Sequence, residues 1–277
     1  MCDLCKLHGE GRRWYLNPKF YAKDFVESPA VTSFLNDPPY PAGPDAHKGL
    51  IELVDTLLTA PSTIPVSSDE LMGVNQLMLR LEGSQAAPLE DIVKLLDLPE
   101  AIDVVPCYCR KIWGDWDDHY TCLHFTPFPE VVKKRASWRK ERSLTTDEAK
   151  DIVRSAYQEG KVPLIIWYPF PYVCAICMCE LPYCLCLRGR IFAGATNAAR
   201  KAEYYAIVDP KKCDGCGGKP ECLLACQFGA MKFNKHDQVA FSASNLCFGC
   251  GVCRTRCPPR AITLKDRNPV PTLRNQW

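Results

Sequence analysis

Eighteen cysteines in 277 residues constrain this chain more than any other feature. Thiols in such number serve as disulfides, metal ligands or reactive groups. Disulfides need an oxidising compartment, and the opening Met1-Cys2-Asp3-Leu4-Cys5-Lys6 carries no apolar signal core. The length also exceeds that of small disulfide-stapled scaffolds and is enough to bury a sizeable core. Metal or cluster ligation in a reducing, cytoplasmic compartment is therefore the expectation. Apolar residues make up 47% and charged residues 24%, a globular composition, and a net charge of +2 offers no basic excess that would point to nucleic acid.

Patterning suggests an α+β chain in four parts. Residues 1–100 read as an N-terminal helical region. A stiff proline-rich connector at 37–44 precedes an apolar helical face over Leu50, Leu53, Val54 and Leu57. A second such face, Leu89, Ile92, Val93 and Leu96, is entered at Ala87-Pro88. Residues 101–203 read as a cysteine-rich α/β module. It has a short strand at 102–105, a helix opened by the capping box Thr145-x2-Glu148 and closed at Gly160, and a β-rich run at 162–168. Residues 204–266 form a separate unit in which cysteines, a short helix and a short strand occur twice, with strands expected near 230–233 and 261–264. Residues 267–277 read as a tail.

One stretch mimics a membrane span. Residues 162–187 contain one charge, Glu180, but also Pro163, Pro169, Pro171, Pro182 and five cysteines. Repeated prolines break a helix, and irregular backbone cannot face lipid. No transmembrane span is expected; the stretch reads as a buried strand followed by an irregular ligand-bearing loop.

The strongest motif is Cys247-x2-Cys250-x2-Cys253-x3-Cys257-Pro258. Three thiolates two residues apart, on a loop with Gly249 and Gly251, can wrap one face of a cubane. The small residues let backbone N–H groups approach the sulfurs. The fourth thiolate is expected to start a helix pointing away, toward another cluster. The preceding half reads Cys213-x2-Cys216-x5-Cys222-x3-Cys226-Gln227, with a longer loop and glutamine in place of proline. Lengthening that loop costs only about 0.8 kcal/mol in closure entropy, small beside cluster ligation. Zinc ribbons pair two C-x2-C knuckles, whereas each run here holds four cysteines.

These residues resemble the bacterial-type two-cluster ferredoxins over about 204–266. The resemblance implies that Cys213, Cys216, Cys222 and Cys257 hold one [4Fe–4S] cluster, and that Cys247, Cys250, Cys253 and Cys226 hold the other. Residues 201–277 carry twelve Lys or Arg against six Asp or Glu. Small diffusing ferredoxins are usually acidic, so this unit reads as built into a larger protein or docked on an acidic partner.

Ten cysteines remain. Cys107, Cys109 and Cys122 form one patch; Cys174, Cys177, Cys179, Cys184 and Cys186 crowd thirteen residues. Lone cysteines usually fill apolar cores, but C-x-C and C-x2-C spacings bring thiols together as a cluster requires. Cys107-Tyr-Cys109-Arg110 and Cys177-Met-Cys179-x4-Cys184 resemble segments of multi-cysteine ferredoxin-domain proteins from anaerobes. That resemblance implies at least one additional iron–sulfur cluster, with Cys174 and Cys186 outside the pattern. Cys2, Cys5 and His8 could supply a metal site completed by an outside ligand. Segment 130–142, basic around Trp138, reads as an exposed helix or a docking face for an acidic redox partner. His119 and His124 bracket Cys122, where packing is the simpler role.

There is no G-x-G-x-x-G, Walker A, H-E-x-x-H, G-x-S-x-G or C-x-x-C-H motif. No catalytic residue can be named. The leading expectation is an electron-transfer protein or subunit that passes low-potential single electrons within a larger oxidoreductase system. The alternatives are a reductase whose upstream cluster has an open coordination position, and an assembly factor with structural clusters.

Overall fold

Six short segments pair into one sheet in the computed structural model, which describes residues 2–36, 67–80, 82–113, 115, 117–130 and 140–277. They are β1 (Gly83–Ala86), β2 (Ile102–Pro106), β3 (Tyr120–Phe125), β4 (Arg142–Leu144), β5 (Val162–Trp167) and β6 (Val173–Cys179). Their order is β1-β5-β6-β3-β2-β4, and every neighbouring pair is antiparallel. A parallel pair needs a crossover of roughly a dozen residues. Only residues 168–172 join β5 to β6, so the expected α/β arrangement gives way to an antiparallel sheet. Within 1–100, the region read as helical, β1 contributes an edge strand.

The cysteine-bearing stretch after β5 is a central strand, not the irregular loop expected. β6 is paired on both sides, by β5 and β3, which satisfies its backbone without solvent. Pro163 is tolerated in β5 because it sits at the end of this pairing: its carbonyl accepts from Ala87 N–H at 3.2 Å just past β1, and only the return bond is lost. Ile166 lies opposite Ala175 but Trp167 opposite Val173, which makes Cys174 the extra residue of a bulge.

The N-terminal region supplies α1 (Asp3–His8), α2 (Lys23–Val26), α3 (Pro29–Asn36), α4 (Ser68–Arg80) and α5 (Leu89–Leu95). Pro88 caps α5 as expected, and Ile92, Leu95 and Leu96 are buried. The connector at 37–44, the helical face at 50–58 and residues 131–139 of the basic segment lie outside the described residues. Trp14 ties this region to the sheet. It stacks edge-on against Trp167 at 5.6 Å, and its Nε1 donates to Gln85 Oε1 at 2.6 Å.

Next come α6 (Tyr108–Ile112), α7 (Thr146–Gln158) and α8 (Leu185–Ile191). The capping box on α7 is complete: Thr145 Oγ1 accepts from the Glu148 N–H, and Glu148 accepts from the Thr145 N–H. Ala149, Val153, Ala156 and Tyr157 form its buried face. α7 links β4 to β5, which lie on opposite sides of the sheet with three strands between them.

The last unit contains β7 (Tyr204–Val208), α9 (Glu221–Leu224), β8 (Met231–Asn234), β9 (Val239–Ser242) and β10 (Ile262–Asp266). β7 pairs antiparallel with β10, and β8 with β9. β8 and β10 fall close to the two strands expected from the repeat. Phe248, Cys250 and Val252 pack into the same apolar cluster as the six-stranded sheet, so the unit shares a core with the rest.

Thr145→Ala removes the α7 cap and is expected to lower unfolding free energy by about 1 kcal/mol. Urea denaturation followed by far-ultraviolet circular dichroism measures this; an unchanged midpoint would show that the cap does not stabilise α7.

Candidate functional site

Eight thiols line one cavity of about 150 Å3: Cys107, Cys109, Cys122, Cys174, Cys177, Cys179, Cys184 and Cys186. The sheet register brings the middle ones together. Cys122 on β3 lies directly opposite Cys177 on β6, and Cys179 follows two residues along on the same face. Cys107 lies between β2 and α6, which carries Cys109, and the Cys107 N–H donates to the His119 carbonyl at 2.8 Å. Cys184 precedes α8, which carries Cys186.

Arg110 clamps these two helical starts together. Its guanidinium binds the carboxylates of Asp115 and Glu180 and lies 4.1 Å over the Tyr183 ring. Trp113 Nε1 adds a bond to the Tyr183 carbonyl at 3.1 Å.

Six of these cysteines, those expected to serve an upstream centre, adjoin one another in a closed ring around the cavity. The ring runs Cys107, Cys109, Cys184, Cys179, Cys177, Cys122 and back to Cys107. Hydrogen bonds from Cys109 and Cys122 hold the Cys107 thiol well below its ordinary range. Cys109 and Cys122 move the other way, chiefly because each is hydrogen-bonded to Cys107, and further through burial. A desolvated crowd of thiols concentrates negative charge on one sulfur, whereas a metal centre would let several ionise together.

The family resemblance left Cys174 and Cys186 outside its pattern, yet both line the cavity. Cys186 hydrogen-bonds to Cys184, and the Cys174 thiol donates to the Ile166 carbonyl at 3.6 Å. His124 also lines the cavity, against the Phe128 ring at 4.9 Å, whereas His119 Nε2 pairs with Asp115 at 3.1 Å. The two histidines therefore face different surroundings despite bracketing Cys122.

In the C-terminal unit, Cys226, Cys247, Cys250 and Cys253 line a second, smaller cavity, with Phe228 stacked on Phe248 at 3.8 Å beside them. Burial, then the charges of Cys247 and Cys226, pushes the Cys250 thiol up to about 12. Cys222 faces Cys257, Cys216 and Cys213, and burial with those charges lifts it to about 11. The two sets of four draw on both halves of the repeat. One expectation is corrected: the helical turn Val252–Arg256 lies before Cys257, so the fourth cysteine ends a helix instead of starting one.

Backbone N–H groups point at the sulfurs in matching positions of the two halves. Ala230 N–H donates to Cys226 Sγ and Ala261 N–H to Cys257 Sγ, each at 3.3 Å and four residues along. Cys247 Sγ accepts from Ala206 N–H at 3.3 Å, and Cys213 Sγ from Ala240 N–H at 3.4 Å. These are the donors a buried thiolate needs. The glycine between the first two cysteines of each run is required by space. A Cβ on Gly249 (φ +69°) would meet the Tyr204 carbonyl oxygen at 2.0 Å, and one on Gly215 (φ +65°) the Gln238 oxygen at 2.2 Å.

Gln227, where the matching position of the second run is Pro258, ties the wall of the second cavity to the chain just past β6 and just past α7. Its Oε1 accepts from the Leu181 N–H and its Nε2 donates to the Gly160 carbonyl, both at 2.8 Å. Leu181 lies two residues after Cys179, and Gln227 directly follows Cys226.

At the N-terminus, Cys2 and Cys5 lie together, buried, but His8 does not join them; it packs edge-on against Phe170 at 4.9 Å. The third polar partner is Glu203, which sequence spacing had no means of finding.

Among the described residues no helix is long and apolar enough to cross a membrane. No family model matches the chain. Short stretches resemble iron–sulfur proteins. A polyferredoxin protein of Methanothermobacter marburgensis is 35% identical over 63 residues, 20% of this chain and 15% of the polyferredoxin. The beta subunit of adenylylsulfate reductase from Megalodesulfovibrio gigas is 38% identical over 62 residues, 21% of this chain and 37% of the subunit. A ferredoxin of Methanocaldococcus jannaschii is 35% identical over 65 residues, 23% of this chain and 80% of that protein. The chain thus spans well under half of the polyferredoxin and of the reductase subunit.

Gly249→Ala is expected to destabilise the protein by more than about 1 kcal/mol beyond Gly229→Ala. Gly229 has a similar φ of +60°, but no atom lies within 4 Å of its would-be Cβ. Equal losses in thermal denaturation would show that the Tyr204 contact is not limiting.

Proposed function

Through a segment of 65 residues the chain belongs to the ferredoxins, and from that premise we propose that it is an iron–sulfur electron-transfer protein or subunit. The segment we assign to the match is 204–266, where both cysteine runs lie. Cys213, Cys216, Cys222 and Cys257 would hold one [4Fe–4S] cluster, and Cys226, Cys247, Cys250 and Cys253 the other. Cys107, Cys109, Cys122, Cys177, Cys179 and Cys184 would supply ligands for at least one further iron–sulfur centre. The single observation that carries this reading is the pair of four-cysteine sets, each receiving backbone N–H donors at its sulfurs. That donor chemistry fits clusters held by thiolates.

Bound clusters supply one-electron uptake and release. The protein's part is to hold each thiolate still, exclude water and tune charge. The alanine N–H groups stabilise the ionised sulfurs. Phe228, Phe248 and Val162 wall off the second set. Arg254 sits beside it, in a bidentate pair with Glu90 at 2.5 and 2.8 Å, and so brings positive charge near without an unpaired cation. Gln227 connects the backbone after Cys226 to the strand end after Cys179, a short route between the upstream and C-terminal sets. Electrons would pass along it within a larger oxidoreductase system, in a reducing cytoplasm.

A second reading is favoured by the upstream cavity. It holds more thiols than one four-ligand cluster uses, together with His124, Tyr108 and Glu180, which can carry protons. In that reading the cavity is the active site of a reductase, and the C-terminal clusters feed it.

Anaerobically reconstituted protein is expected to bind more than about eight irons, the content of two cubanes. Cys250→Ala should remove one C-terminal cluster signal from the low-temperature electron paramagnetic resonance spectrum, and Cys177→Ala an upstream one. Fewer than about eight irons in the unmodified protein would overturn the two-cubane assignment. An upstream spectrum that changes on adding a reducible substrate would select the second reading.

Gln227→Ala is expected to slow electron exchange between the upstream and C-terminal centres several-fold with iron content retained. Freeze-quench spectroscopy after a reducing pulse measures this, and an unchanged rate would place the route elsewhere.

A further inference from the structure

Cys2, Cys5 and Glu203 form a closed polar group outside every thiol set used above. All three are buried, at 0%, 1% and 1% exposure. The two Sγ atoms are 3.3 Å apart, and Cys5 Sγ lies 3.1 Å from Glu203 Oε1. Cys2 N–H donates to both carboxylate oxygens, at 3.0 and 3.3 Å, and Cys5 N–H donates to Cys2 Sγ at 3.3 Å. The chain spends 198 residues of separation to bring Cys5 and Glu203 together. A buried carboxylate hydrogen-bonded to one thiol and one amide has acceptor capacity left over, which a bound cation would use.

We propose that Cys2, Cys5 and Glu203 are a structural zinc site that fastens the N-terminal helix to the base of the C-terminal unit. Two thiolates and a carboxylate suit zinc, a borderline-soft ion that accepts sulfur and oxygen ligands in tetrahedral geometry. Glu203 Oε1, already beside Cys5 Sγ, supplies the third donor atom, and Oε2, released from the Cys2 N–H, is the remaining donor of the same carboxylate for the fourth position. The required movement is small. Two Zn–S bonds of about 2.3 Å at the tetrahedral angle put the sulfurs about 3.8 Å apart. The observed 3.3 Å must therefore open by about 0.5 Å, within reach of side-chain rotation.

Charge balance selects a divalent ion. Arg267 is fully buried near Glu203; its guanidinium binds the carbonyls of Ala202, Tyr204 and Cys247, and among the described residues its Nη1 has no hydrogen-bond partner. With both thiols protonated, Glu203 and Arg267 cancel. A divalent cation that displaces both thiol protons leaves that balance unchanged: two protons leave and two positive charges arrive. A monovalent ion would leave an excess negative charge in a buried site. A Cys2–Cys5 disulfide would instead remove the thiol that donates to Glu203, leaving the carboxylate with one amide partner.

The test is metal analysis of the full chain carrying its iron. Protein purified anaerobically from zinc-supplemented cells is expected to hold about one zinc per chain beside its iron. Zinc-edge X-ray absorption should show two sulfurs at about 2.3 Å and light atoms at about 2.0–2.2 Å. Cys5→Ala and Glu203→Gln should each lower zinc at least about tenfold with iron unchanged, as expected when a ligand is removed. The near-isosteric Glu203→Gln decides the matter if Cys5→Ala does not fold. Absence of zinc from the unmodified protein, zinc unchanged in Glu203→Gln, a four-sulfur zinc shell, or a Cys2–Cys5 peptide two daltons lighter would each overturn the site.

Discussion

A sulfur atom can carry charge inside a protein only if hydrogen bonds, metal ions or opposite charges replace the water it has lost. None of the eighteen cysteines is exposed, so every part of the fold answers to that requirement. It shapes the C-terminal unit, where amides of Ala206, Ala230, Ala240 and Ala261 are aimed at sulfurs and a glycine stands where any Cβ would strike a carbonyl. It shapes the upstream module too, where six thiols adjoin one another around one cavity.

The same requirement explains why the C-terminal unit is not a separate appendage. The antiparallel sheet holds Cys122, Cys177 and Cys179 on rigid strands, and Arg110 locks the two helical starts that bring the remaining ring members. Tyr157 of α7 donates to the Cys250 carbonyl at 3.1 Å and accepts from Arg254, which in turn holds Glu90 of α5. Sheet, N-terminal region and C-terminal unit therefore share one set of polar contacts around the thiols. Thiols held this firmly would move little on a change of charge, as the proposed one-electron transfer requires.

What could be read in advance was local. The capping box at Thr145 and Glu148 lies within a single helical turn, and the C-terminal cysteine runs lie within loops whose reach is set by two or three residues. The apolar face of α5 and the strands after each run were legible for the same reason. The stretch after β5 was misread because four prolines and five cysteines in an apolar run suggest irregular backbone. Pairing by β5 and β3 on either side overrides that local preference and makes β6 a central strand. Pro163 survives because β1 ends one residue short of it.

Sequence alone determined which thiols could act together over a few residues, and through them the resemblance to ferredoxins. Five members of the upstream ring lie in short segments, Cys107-x-Cys109 and Cys177-x-Cys179-x4-Cys184, that the sequence shows directly, whereas Cys122 stands alone and joins them through the β3–β6 register. Only the tertiary structure decided that Cys174 and Cys186 share their cavity, that Gln227 bonds to the chain just past β6, and that Glu203, not His8, meets Cys2 and Cys5. Each of those depends on chain segments far apart in sequence meeting across a packed core. A side chain's partner at such separation is set by sheet register and packing, neither of which leaves a mark on the residues between.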